Sequence, residues 1–212
     1  MAMSQRDVAV VARQLGRPPR GVMAVAHRCP CALPDVVQTA PRLPDGTPFP
    51  TLYYLTCPRA SAAVSRLEAS GVMRAMTERL QTDSGLRDSY RSAHQDYVDR
   101  RAAAGRSAGL EPLPATAASA GGMPDRVKCL HALIAHELAV PGSNPLGREA
   151  IEAAGPWWAA GPCVTDADLT DADLTGADLD AGADLTGADL TGADLTGAGL
   201  DAGADAGPEP SA

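Results

Sequence analysis

The side chains of this sequence best equipped for chemistry are its thiols and imidazoles. Cys29-Pro-Cys31 sets two thiols one residue apart, Cys57 follows an apolar run, and Cys129, His131 and His136 crowd into one short stretch near the middle of the chain. Thiolates and neutral imidazoles are the usual ligands of zinc, and four thiolates hold an iron–sulfur cluster. Cys29, Cys31, Cys57 and Cys129 are therefore a candidate metal set, with His136 as a partner of the fourth ligand or its substitute. The spacing lacks the paired CxxC knuckles of a zinc ribbon, so zinc and a cluster both stay open.

A second chemistry uses Cys57 as a nucleophile, in a cysteine-dependent enzyme or redox protein. Pro58 behind it suits the first turn of a helix, and a thiol at a helix N-terminus is acidified by the helix dipole. Arg59 would help, and His27 or His136 would serve as base. No phosphate-binding C-x5-R loop exists, because Ala63 stands where the arginine would be, and no thioredoxin-type CxxC occurs. Cys57 and Cys129 as small buried hydrophobes is the alternative to both. Searches for P-loop, GxGxxG, GxSxG and HExxH patterns are empty, so whether the protein is an enzyme stays open.

These residues need elements to position them. The stretch 123–139 reads as one helix, and at 100° per residue His131 falls with Val127, Ile134 and Leu138 on an apolar stripe. Cys129 and His136 fall on the opposite side, so Cys129 is the preferred ligand and His131 a core residue. Upstream, Ser4 and Gly16 bracket a short amphipathic helix. Val22–Cys29, Val36–Leu43 and Thr51–Cys57 read as strands, with a turn at Pro44-Asp45-Gly46 joining the last two. If Cys31 continues the first strand, His27, Cys29 and Cys31 share a face. Helices are expected over Pro58–Ser70, Val72–Thr82, Ser84–Ala103 and Asn144–Ala154, and Trp157-Trp158 docks the end of the body. His94 has no partner spaced to it, and Cys163 reads as a bystander. The fold class is α+β, a small antiparallel sheet covered by helices.

Charge divides the chain. Residues 1–163 carry all 18 Lys+Arg against 14 Asp+Glu, a net +4, while residues 164–212 carry 12 acidic residues and no basic ones. Residues 1–163 are accordingly the α+β body, with a Gly/Ala/Ser/Pro-rich flexible linker at 104–122, and 164–212 an acidic tail. A body this mildly basic argues against nucleic acid as a partner. The Val8–Ala12 run is too short for a signal peptide and nothing approaches a membrane span, so the expected location is cytoplasmic, where cysteines stay reduced. The tail repeats Ala-Asp-Leu-Thr-Gly, with leucines at 169, 174, 179, 185, 190, 195 and 200. It resembles the pentapeptide-repeat family, which implies a four-sided β-solenoid with leucine inward. Seven units make under two coils, which leaves a short solenoid and a disordered acidic tail as alternatives. A third functional reading follows: a non-catalytic interaction protein that meets a protein partner through this tail.

Three body segments carry a further resemblance: Arg17-Pro-Pro-Arg-Gly-Val-Met-Ala-Val-Ala-His-Arg-Cys-Pro-Cys31, Leu43-Pro-Asp-Gly-Thr-Pro-Phe-Pro-Thr-Leu-Tyr-Tyr-Leu-Thr-Cys-Pro58, and Met123-Pro-Asp-Arg-Val-Lys-Cys-Leu-His-Ala-Leu-Ile-Ala-His136 with Asn144-Pro-Leu-Gly147 after it. In this order they resemble the domain-of-unknown-function 501 family over about residues 5–155. The resemblance implies a bacterial protein and assigns it no activity.

Overall fold

Ser4 opens the first helix as its place before an amphipathic run requires. In the computed structural model, which describes residues 3–43, 45–114 and 120–170, α1 spans Gln5–Leu15 and begins with a reciprocal cap. Ser4 Oγ accepts from the Asp7 amide while the Asp7 carboxylate accepts from the Ser4 amide. Gly16 ends the helix at φ 68°, a left-handed conformation that glycine adopts without a Cβ clash. Asp7 also takes two hydrogen bonds from Arg28, at 2.7 and 2.8 Å, which ties α1 to the first strand.

The sheet has three antiparallel strands in the order β1 (Val22–Arg28), β2 (Pro34–Thr39) and β3 (Tyr53–Leu55). The strand predicted at Val36–Leu43 starts two residues earlier and stops at Thr39. Pro41, with no N–H to donate, lies just beyond its end. Cys31 does not continue β1. Residues 29–32 form a turn, closed by the Ala32 amide on the Cys29 carbonyl at 2.8 Å, with Ala32 at φ 64°. Three register shifts along β1 also break its simple alternation. β2 is the buried centre: Val36 packs into the main core, and Val37, one residue on and so on the other face, lines a hollow with Leu15 at the end of α1.

Pro58 then starts α2 (Pro58–Ala69), Gly71 at φ 84° turns the chain into α3 (Val72–Thr82), and Asp83 caps α4 (Ser84–Ser107) by accepting from the Leu86 amide. α4 runs through residues 104–107, where composition alone reads as linker. Ala104 is buried there, and Gly105 lies so close to Pro41 that a Cβ would sit 3.1 Å from its ring. Tertiary packing outweighs the weak helix propensity of glycine.

The helix predicted over 123–139 is shorter. α5 spans only Leu130–Ala139; before it come a single 3-10 turn at Ala120–Gly122, a turn at residues 123–125 and an irregular stretch at residues 126–129. Gly121 and Gly122 have positive φ, the Lys128 amide returns to the Gly121 carbonyl, and the Met123–Pro124 bond is cis. Contacts from other helices hold the irregular stretch: Thr77 Oγ1 accepts from the Val127 amide, and Tyr90 Oη donates to the Arg126 carbonyl. α6 (Pro145–Ala154) packs directly on α5, and a Cβ on Gly147 would overlap the Leu133 carbonyl. The main core gathers around Tyr90, Tyr97, Leu130, Leu133 and Leu146, each worth about 1.5–3 kcal/mol on burial. A smaller cluster joins Val10, Cys29, Leu33 and Val164.

Candidate metal centre

The shortened α5 rearranges its ligands. Cys129 lies outside the helix as its N-cap, with extended φ −151° and no capping bond from its side chain. The wheel that set Cys129 opposite His131 therefore does not apply, and the two side chains meet. Glu68, in the last turn of α2, completes the group: one ligand atom each from Glu68, Cys129 and His131 lies within 4.8 Å of the others, all three residues half-buried. Glu68 Oε1 accepts from the Leu130 amide at 2.6 Å, supplying the cap that Cys129 does not, and contacts His131 Nδ1 at 3.2 Å. His131 Nε2 faces the Ser61 carbonyl at 3.3 Å. Burial works against a charge on His131, but the Cys129 thiol and the Glu68 carboxylate outweigh it and raise its pKa to about 10. Burial raises the Glu68 carboxyl, yet His131 and the backbone amides bring it below its ordinary range. An acidic side chain at a helix C-terminus opposes the helix dipole, and that misplacement is the one sequence signal pointing to Glu68.

His136 sits in a different environment. It is fully buried on α5, its ring stacked on Tyr53 at 5.9 Å and edge-on to Tyr97 at 5.2 Å. The Asn144 amide oxygen accepts from the Gly147 amide, which leaves its NH2 facing His136 Nδ1 at 3.5 Å. His136 Nε2 then donates to Asp96 at 3.1 Å, and Arg100 grips the same carboxylate. Burial lowers the His136 pKa, only partly offset by Asp96. This is a neutral histidine tying α4, α5 and α6 together, with both ring nitrogens occupied.

The remaining thiols gather at the other end of α2, and Glu68 is about 16 Å along that helix from Cys57. Cys29 and Cys31 interact with each other across their turn. Cys57, the buried N-cap of α2, interacts with Cys163, which sequence reasoning had set aside. The shared thiol contact and burial push Cys57 up, the reverse of the acidification expected from its helix and Arg59. The same contact brings Cys163 down to about 6; burial opposes this, and a hydrogen bond from Gln14 and the charge of Arg59 support it. His27 is engaged by Asp35 at 2.7 Å. The five predicted ligands thus divide: Cys29, Cys31 and Cys57 lie towards Cys163, Cys129 with Glu68 and His131, and His136 in the core.

The donor set of one thiol, one imidazole and one carboxylate fits zinc. It does not fit an iron–sulfur cluster, which takes thiolates throughout or, in one class, two histidines. Zinc bonds of about 2.0–2.3 Å place neighbouring ligand atoms roughly 3.3–3.8 Å apart, so closure needs a contraction of about 1 Å from the outer limit.

No helix among the described residues is long and apolar enough to cross a membrane. Residues 165–201 match pentapeptide repeats in eight copies, one more than the leucine spacing counts. All but residues 165–170 of that match, and with them the choice between a solenoid and a disordered tail, lie outside the described residues. No curated protein and no solved structure matches the chain. The family model for a protein of unknown function, DUF501, matches residues 25–152, from the first strand to the end of α6, the span that supplies all three members of the Glu68–Cys129–His131 group. On that match the chain belongs to the DUF501 family.

Proposed function

We propose that this protein binds one zinc ion at Glu68, Cys129 and His131. The observation that carries the reading is that three ligand atoms of three chemical kinds, brought in by α2 and by the start of α5, converge within 4.8 Å at a half-buried place. Three protein ligands leave a fourth position for water or substrate, the arrangement of catalytic rather than purely structural zinc. Zinc held this way would acidify a bound water and polarise a carbonyl or phosphoryl oxygen. The chain's own contribution is orientation: Ser61 and the Leu130 amide hold His131 and Glu68 in place from the backbone.

Elemental analysis of the full chain, purified without chelator, tests this. About one equivalent of zinc is expected, falling at least about tenfold in Cys129→Ser and His131→Ala variants that remain folded. His136→Ala, which removes a core strut, should melt earlier yet keep its zinc. Less than about a tenth of an equivalent in the parent protein, or equal zinc in the parent and both ligand variants, would sink the proposal.

A further inference from the structure

Cys163 stands where two cores meet. It packs against the main core that includes Cys57 and Trp157, and against the smaller one of Val10, Cys29, Leu33 and Val164. Two elements remote in sequence serve its sulfur. From α1, Gln14 Nε2 donates to Cys163 Sγ at 3.3 Å while also holding the Pro34 carbonyl at 2.8 Å. From α2, Arg59 donates to the Gly161 carbonyl at 2.7 Å, which fixes the turn before Cys163 and keeps a cation beside the thiol. Gln14 Oε1, on the same amide, is buried with no hydrogen-bond partner. Behind Cys163 lies Cys57, 4% exposed and part of the main core against which Cys163 packs.

The two thiols are therefore unequal. One is half-exposed, with a side-chain amide on its sulfur and a cation nearby; the other is 4% exposed and takes only backbone amides at the start of α2. That inequality separates an attacking cysteine from a resolving one. We infer that Cys163 and Cys57 form a two-cysteine site that reduces small hydroperoxides, Cys163 attacking and Cys57 resolving. The Cys163 thiolate attacks one peroxide oxygen and the O–O bond breaks. The departing oxygen takes a proton and leaves as water or alcohol, and Cys163 is oxidised to a sulfenic acid. The Cys57 sulfur then attacks Cys163 Sγ, the S–O bond breaks, and the hydroxyl leaves as a second water with the Cys57 proton. Two thiols and one hydroperoxide become one disulfide, one water and one water or alcohol. An external dithiol restores the site by exchange. Peroxide suits the half-buried sulfur because only one small oxygen atom must reach it, whereas exchange with a bulky disulfide needs three sulfurs in line.

The test uses the reduced full chain and one equivalent of hydrogen peroxide, followed by alkylation and trypsin. Cleavage after lysine and arginine separates Cys29 and Cys31 (residues 29–42), Cys57 (43–59), Cys129 (129–148) and Cys163 (149–212) onto four peptides. The expected product is a disulfide between peptides 43–59 and 149–212. Cys163→Ser should abolish it and slow peroxide consumption at least about tenfold. Cys57→Ser should leave Cys163 as a sulfenic acid that dimedone traps. A dominant disulfide to peptide 29–42 would overturn the inference. So would equal, slow oxidation of all the thiols, or bound zinc that shields Cys29, Cys31, Cys57 and Cys163 together until it is chelated. The Glu68–Cys129–His131 centre reports on peptide 129–148, so loss of either reading leaves the other standing.

Discussion

At the scale of single residues, Asp7 shows how much one carboxylate can organise. It completes the cap of α1 and receives both prongs of Arg28. The Arg28 guanidinium holds its carboxyl at about 2, burial opposing and Ser4 assisting. An unfolded aspartate titrates near 3.9, so the folded state holds Asp7 ionised where the unfolded chain takes up a proton. The stability this contributes is fully present above about pH 4 and is lost as pH falls towards 2. Asp7→Asn should cost about 2 kcal/mol at pH 7, between the worth of exposed and buried ion pairs, and should flatten the stability curve between pH 4 and 2. Denaturant melts at several pH values read both effects; an unchanged acid limb would show that the pair does not set it. His136 illustrates a different point about single residues. Its type and place suggested a ligand, but what its nitrogens do was decided by Asp96 and Asn144, forty residues before it and eight after it.

At the scale of elements, the start of α5 separates what the sequence revealed from what it concealed. The bounds of α1 were legible because Ser4 and Gly16 are local signals, and Val72–Thr82 because Gly71 and Asp83 flank it. The residues 123–129 carry no local sign that they leave the helix except Pro124, since the atoms that hold them, Thr77 Oγ1 and Tyr90 Oη, come from α3 and α4. The helical wheel was sound geometry applied about two turns too far. It separated Cys129 from His131, and it hid Glu68 because no periodicity links α2 to α5. The α5–α6 pair allows a sharper test. Gly147 lets α6 reach the Leu133 carbonyl, with Asn144 capping the helix start. Gly147→Ala should cost about 2–3 kcal/mol, more than helix propensity returns, because the two helices must part. A thermal melt at or above the parent's would show that the contact relaxes freely.

At the scale of the whole molecule, the change in composition at residue 164 and the end of the packed body differ. Val164 is buried with Val10 and Leu33, Leu169 packs beside them, and Asp166 meets Arg6 at 2.6 Å. A chain ending at residue 163 should therefore melt several degrees below one ending at residue 170, since it exposes the smaller core. Equal melting temperatures would confine the body to the earlier boundary. The same attachment has a mechanical side. Any pull on residues 171–212 enters the body through 164–170 and reaches first Leu169 on the edge of the smaller core, then the exposed Arg6–Asp166 pair, then Val164. With Cys57 and Cys163 reduced, peeling can run on past the tryptophans to α6. Joined by a disulfide, the same two residues would stop it at 163, so oxidant would set how firmly the tail is moored to the body.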